Sequence, residues 1–191
     1  MKKILLLLCC VLLSRNVSAL ELAGVQVADK AQVGNVSLQL NGAGIRTKFF
    51  FKIYVAALYL PQKQASGEAV IADEHEHRVA LHILHELSSK KLYGAFSEAI
   101  EANHTAAELA ALDAQLKQMA QIFDAMKEVK PGDVITLDYL PGSGTQIGVN
   151  GTVRGTIPGA AFNRALLKIW LGGKPVQDDL KKGLLGASEN G

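Results

Sequence analysis

Cysteine is almost missing from this chain. The 191 residues hold two, Cys9 and Cys10, side by side within one apolar run. Residues 20–191 therefore carry no disulfide, no thiolate metal cluster and no cysteine nucleophile. A charge excess of one sign is missing too. The 20 Lys and Arg face 18 Asp and Glu, a formal charge of +2, without the clustered basic excess of a nucleic-acid binder. There is no GxSxG elbow and no HExxH helix, the usual marks of a serine hydrolase or a zinc protease. Neither Gly42 with Gly44 nor Gly142-Ser143-Gly144-Thr145 leads from a strand into a helix with a phosphate-binding Lys, so no nucleotide cofactor is expected. What remains is a chain 49% hydrophobic and 20% charged, a composition that folds around a core.

The one long apolar run, Ile4 to Leu13, follows Lys2-Lys3 and gives way to Ser14-Arg15-Asn16 and Val17-Ser18-Ala19. Charged, apolar, then small residues form the layout of a secretory signal peptide cleaved after Ala19. Ten helical residues span about 15 Å, half a bilayer core, which argues against a retained membrane span. Leu residues precede both cysteines, where a lipid-modified cysteine wants small ones. Cleavage would remove Lys2, Lys3 and Arg15 and leave 17 basic against 18 acidic residues. Export to a bacterial periplasm is the expected localisation, with residues 20–191 forming a single domain.

Along that domain, residues 21–40 alternate apolar and polar side chains and read as two short strands broken at Ala31-Gln32-Val33-Gly34. Asn41-Gly42-Ala43-Gly44 reads as a reversal or bulge. Phe49 to Leu60 is an emphatic strand, apolar on both faces: Ile53/Val55/Ala57/Tyr59 on one, Tyr54/Ala56/Leu58/Leu60 on the other. Both faces must then be covered, by helices on one side and by more protein or an apolar ligand on the other. A connector from Pro61 to Asp73 has room for a short helix, and Arg78 to Leu87 reads as a strand. Ser88 or Ser89 can cap a helix running to about Asn103. Thr105-Ala106-Ala107-Glu108 has the capping-box spacing. It opens a helix that places Leu109, Leu112, Leu116, Met119, Phe123 and Met126 on one face. Strands follow at Val134–Leu140, Thr145–Val149 and Thr152–Ile157, the last two flanking the hairpin signal Asn150-Gly151. An amphipathic helix, Ala160 to Leu171, and a short helix after Pro175 complete an α+β chain with an antiparallel β-sheet and a layer of helices on one face.

Four of the five histidines, His75, His77, His82 and His85, crowd into eleven residues. They read as a polar strand entry and its neighbourhood, and no metal is expected. Arg46 is more telling, because it precedes a strongly apolar strand. A guanidinium near buried surface needs an anion or several acceptors, and a salt bridge to a carboxylate is the plain alternative. Tyr54 and Tyr59 are core aromatics whose phenols want partners. Eight residues separate Arg46 from Tyr54, about 26 Å along a continuous strand. They share a site only if the chain reverses between them, and Thr47-Lys48-Phe49 is a poor turn by composition.

The run Leu40-Asn41-Gly42-Ala43-Gly44-Ile45-Arg46, with Phe51 to Leu60 after it, resembles the chalcone isomerase family. So does Ala165-Leu166-Leu167-Lys168-Ile169-Trp170-Leu171-Gly172, with Pro175 and Asp179-Leu180-Lys181 beyond it. The resemblance spans most of residues 20–191 in the expected order and is nearest to short exported bacterial members. It implies a large antiparallel sheet with helices layered against it. In that family an arginine after the glycine turn stabilises negative charge on the substrate, and Arg46 matches it. Tyr54 stands where the isomerase has a threonine. Fatty-acid-binding members are similar there, pairing the arginine with a tyrosine to hold a carboxylate. The isomerase's tyrosine and asparagine on the first long helix fall at Leu92 and Ala99, and a later hydroxyl residue falls at Ile169. A polyphenol's hydroxyls would go unpaired against such side chains, and an alkyl chain would not. The resemblance thus implies a non-catalytic binder of a small apolar anion such as a fatty acid, with Arg46, Tyr54, Tyr59 and Ile169 binding it. One alternative is an intramolecular lyase or isomerase of an enone or chalcone-like substrate, with Arg46 and Tyr54 catalytic. Another is a structural envelope protein. No cofactor, nucleic acid or membrane span after leader cleavage belongs to any of these.

Overall fold

The computed structural model describes residues 20–187, so the leader expected at residues 1–19 lies outside the described residues. Eleven strands and six helices follow one another along it. The strands are β1 (Leu20–Leu22), β2 (Val25–Val27), β3 (Lys30–Val33), β4 (Val36–Lys48), β5 (Phe51–Leu60), β6 (His77–Ile83), β7 (Leu87–Ser88), β8 (Glu128–Val129), β9 (Val134–Leu140), β10 (Gly144–Val149) and β11 (Thr152–Ile157). The helices are α1 (Gly67–Ala72) between β5 and β6, then α2 (Ser89–Ala102), α3 (Ala106–Ala111) and α4 (Asp113–Met126) between β7 and β8. After β11 come α5 (Ala160–Leu171) and α6 (Asp178–Leu184).

Seven strands form one antiparallel sheet in the order β11-β10-β9-β6-β5-β4-β3, and β1-β2 and β7-β8 form two small ones. Period-2 alternation sorts the apolar side chains of β5 onto two faces. Tyr54, Ala56, Leu58 and Leu60 face the helices, while Val55, Ala57 and Tyr59 face away. The helical layer buries Phe96 and Ile100 of α2, Met119 and Phe123 of α4, and Phe162, Leu166 and Trp170 of α5 on the first face. The second face is covered by protein. Although β3 is an edge strand, it also packs against β6 and β9, so the sheet curls until its edge lies over its own middle. Val27, Val33 and Leu38 close that roll against Val55, Ala57 and Ala80.

Several expected boundaries move, each for a physical reason. The break placed at Ala31–Gly34 is a strand, β3, and the turn comes after it at Gly34, whose φ is 54°. The segment read as two short strands holds three, plus the start of β4, because Ala23-Gly24 makes a tight hairpin with both residues at positive φ. Of the two readings of Asn41-Gly42-Ala43-Gly44, reversal or bulge, the bulge holds: the segment lies within β4, whose register shifts between Leu40 and Gly42. Its glycines admit a neighbour: a Cβ on Gly42 would stand 2.1 Å from the carbonyl oxygen of Gly183 in α6. The reversal comes later, at Phe49-Phe50, a two-residue loop with Phe49 at φ 56°, a conformation rare for an aromatic residue. Strand β6 ends at Ile83 rather than Leu87. The helix expected from Thr105 breaks at Leu112 into α3 and α4. The caps hold as read: Ser88 accepts from the Lys91 amide, Thr105 and Glu108 form a reciprocal box, and Asn150-Gly151 turns β10 into β11.

Candidate functional site

Between the helix-covered face of the sheet and the helices lies a cavity of about 830 Å³. Its existence follows from side-chain size. Helix α2 turns Gly94, Ala95, Ala99 and Ala102 toward it, and a Cβ added at Gly94 would meet no atom within 4 Å. Where α2 carries large residues, Leu92 and Phe96, they form wall rather than filling. Leu81, Leu137 and Ile147 of the sheet and Leu166 and Ile169 of α5 complete an apolar lining.

The β4–β5 hairpin sets two polar side chains into this lining. Register pairs Arg46 directly with Tyr54, and directly opposite residues in an antiparallel pair have Cα atoms about 4.5–5.5 Å apart. The two groups that a continuous strand would have held apart are thus neighbours, and both line the cavity.

Arg46 has no carboxylate within salt-bridge distance among the described residues. Its two hydrogen bonds both use Nη1, donated to the Thr47 carbonyl at 2.8 Å and to Gln177 Oε1 at 3.2 Å. The Nε and Nη2 protons remain for another acceptor. Gln177, at the start of α6, holds the arginine in place. Strand β3 pairs with β4 only from Val36 to Gln39, leaving the Arg46 end of β4 with a free side. There Gln177 Oε1 accepts from the Thr47 amide at 2.9 Å and its Nε2 donates to the Ile45 carbonyl at 3.2 Å.

Tyr54 is buried, and Trp170 Nε1 donates to its phenol oxygen at 3.1 Å. An indole N–H can only donate, so the phenol oxygen is the acceptor and its own proton stays available. Burial pushes the phenol's pKa up, partly opposed by the Trp170 hydrogen bond and by the Arg46 charge. Tyr54 is therefore a neutral donor at physiological pH. Three lysines, Lys48, Lys91 and Lys174, also line the cavity, against one carboxylate, Glu98. The chamber is apolar inside and cationic at its polar groups, with two adjacent donors unspent.

Of the residues singled out from sequence, Arg46, Tyr54 and Ile169 come together here, as do Leu92 and Ala99. Tyr59 does not. It lies inside the rolled sheet on the opposite face, paired in register with Arg78, and its place as a ligand contact is corrected accordingly. Its phenol is raised by burial, opposed by the Arg78 charge. The salt bridge considered for Arg46 exists elsewhere, half-buried: Arg78 Nε and Nη2 donate to both Asp138 oxygens at 2.6 Å. Among the histidines, His77 is buried between the His75 carbonyl and Asn163, each 3.0 Å away. No group of three or more His, Cys, Asp or Glu among the described residues is placed to hold a metal ion, and none of their helices is long and apolar enough to cross a membrane. Sequence reasoning missed Trp170 and Gln177 as site residues. Trp170 left a trace, since a lone tryptophan on a buried helix face needs an acceptor for its N–H. Gln177 left none.

Residues 19–186 match the model of a family described as chalcone isomerase-like. A search of the curated proteins finds no match. Among solved structures, the fold is similar to the crystal structure of the Arabidopsis thaliana fatty-acid binding protein AtFAP1, with a TM-score of 0.68 at 14% identity over 88% of this chain and 96% of that one.

Proposed function

Since this chain belongs to the chalcone isomerase-like family, and its cavity is apolar with a cationic anchor, we propose that it binds a small apolar anion, a fatty acid or a close analogue, without transforming it. The observation that carries this reading is the Arg46–Tyr54 pair. A guanidinium edge and a phenol O–H, side by side and short of acceptors, suit the two oxygens of a carboxylate. The cavity volume falls within the range of about 300–1,000 Å³ usual for small-molecule sites. The solved relative is itself named a fatty-acid binding protein, which supports the ligand class. The same pair could stabilise an oxyanion in an intramolecular lyase. That reading ranks second because Leu92, Ala99 and Ile169 offer a polyphenol no hydrogen-bond partner. A purely structural role leaves an open cavity beside an unspent guanidinium without a use. The leader pattern at residues 1–19 supports action after export, in the periplasm of a bacterium, and cell fractionation with an antibody against residues 20–191 checks that placement.

The test is titration of palmitate against the parent and Arg46→Leu by calorimetry, with native mass spectrometry before and after organic extraction. A hydrogen bond to a charged group is worth about 1.5–3 kcal/mol, so Arg46→Leu is expected to weaken binding about 10- to 150-fold. Equal affinity in the two proteins overturns the assignment. Cyclisation of a chalcone above the spontaneous rate, lost in Arg46→Leu, would move the protein to the enzyme reading.

A further inference from the structure

The five large hydrophobic side chains most exposed among the described residues are Leu20, Phe49, Phe50, Phe51 and Val153. Three are consecutive, at 85%, 97% and 56% exposure, and they occupy the tip of the β4–β5 hairpin. Isolated exposed apolar residues are ordinary, but three adjacent rings on a protruding turn are not. Lys48 and Lys52 bracket them, both exposed, and neither makes an ion pair among the described residues. The order Lys-Phe-Phe-Phe-Lys is an aromatic wedge with a cation on either side.

We propose that this tip docks the protein onto a bilayer surface containing anionic phospholipid, and that the cavity loads and unloads there. The rings would sit at the level of the headgroups and upper acyl chains while the two lysine stems reach back to the phosphates. A folded protein partner fits the tip less well. Three rings at about 150–250 Å² each expose less than the roughly 800 Å² per side that a stable protein interface buries, and a narrow turn offers no flat face to extend it. A bilayer needs only the wedge. The tip is also continuous with the cavity: Lys48 and Phe49 line both, and Arg46 stands two residues further in. A carboxylate leaving the headgroup plane would pass Lys48 on its way to the Arg46–Tyr54 pair. The loading step rests on the fatty-acid reading, whereas docking itself does not.

Two variants separate the parts, Phe50→Ser and Lys52→Glu, at exposed positions that do not line the cavity. Flotation is measured with vesicles of 30% phosphatidylglycerol in phosphatidylcholine and with vesicles of phosphatidylcholine alone. The parent is expected to float with the anionic vesicles, less at high salt because screening weakens the lysine contribution, and less with phosphatidylcholine alone. Phe50→Ser is expected to lower the partition coefficient about tenfold, the scale of one apolar ring left in water, and Lys52→Glu severalfold. Both should keep the parent's melting temperature and its vesicle-free affinity for palmitate, while transferring a fluorescent fatty acid from vesicles more slowly. Absence of flotation, or flotation undiminished in Phe50→Ser, overturns the proposal. A dimer that Phe50→Ser dissociates, with no flotation, would assign the tip to a second copy instead and overturns it equally. Flotation without palmitate binding in the parent would uphold docking and sink the fatty-acid reading.

Discussion

Replacing Tyr54 with Phe removes one oxygen and no packing; that oxygen has one role in the fold and, on the fatty-acid proposal, a second toward the ligand. As the acceptor for Trp170 Nε1 at 3.1 Å it satisfies a donor on a residue only 5% exposed. Without it the indole N–H is buried unpaired, at a cost of about 1–3 kcal/mol. For a chain of this size that lowers the melting temperature by about 2–12 °C. As a donor to a carboxylate the same group contributes about 1.5–3 kcal/mol, so the palmitate Kd should rise about 10- to 150-fold. The methyl ester of palmitate offers only a neutral acceptor and should lose no more than about tenfold. Calorimetric melting reads the first role and titration with the two ligands reads the second. Because Arg46 and Tyr54 would hold one carboxylate, the losses in Arg46→Leu and Tyr54→Phe should not add. A melting temperature that falls while palmitate affinity stays at the parent's value would refute the carboxylate role and leave Tyr54 as a structural partner of Trp170. The phenol also predicts a pH profile. Its pKa is raised from 10.0 by burial, so affinity should be level from about pH 6 to 9 and fall only as the phenol ionises above 10. Stability follows the same sign, because above pH 10 the unfolded chain gives up a proton that the folded one keeps.

Acid should destabilise the fold through His77, whose pKa burial lowers from 6.5 against the opposing Asn163 hydrogen bond. Stability is full above pH 6.5 and declines below it as the unfolded chain takes up a proton the folded one refuses; urea denaturation of the parent and His77→Gln between pH 5 and 8 should show a shallower decline in the variant. Asp138→Leu leaves the half-buried Arg78 guanidinium unpaired and should cost about 3 kcal/mol, the low end for breaking such a pair, while the double variant with Arg78→Met recovers much of the loss in the same assay. Two glycines should respond with opposite signs in thermal melts. Gly42→Ala forces a methyl against the α6 backbone and destabilises by about 1–3 kcal/mol or more, whereas Gly94→Ala, mid-helix with open space before it, stabilises by up to about 1 kcal/mol.

Local chemistry carried most of the fold into the sequence. Ser88, the Thr105–Glu108 box and Asn150-Gly151 act through neighbours within a few residues, and each was readable for that reason. What lay hidden were contacts made from afar. Gly42 and Gly44 left reversal and bulge both open because glycine serves turns and close approaches alike, and only α6, some 140 residues later, decides which. Phe49-Phe50 hid the true reversal because no composition rule places an aromatic at positive φ, so the meeting of Arg46 with Tyr54 could be stated only as a condition. Tyr54 and Tyr59 already fell on opposite faces by alternation, five residues apart. Alternation says that two faces differ, however, and not which one a cavity adjoins. The cavity came from small residues on α2, whose alanines read equally well as plain helix formers.

Gln177 has a consequence beyond holding the arginine. A strand with an unpaired side is a template on which another chain can add by backbone pairing, the first step toward aggregates. Strand β4 has such a side beyond its stretch paired with β3. There a single amide side chain offers the donor and the acceptor that a foreign strand would have offered, to Thr47 and Ile45. The helix that follows closes the approach over Gly42 and Gly44. The residue that occupies the free edge of β4 and the residue that steadies Arg46 are thus the same. Replacing Gln177 would therefore bare the edge of β4 and loosen Arg46 in one step.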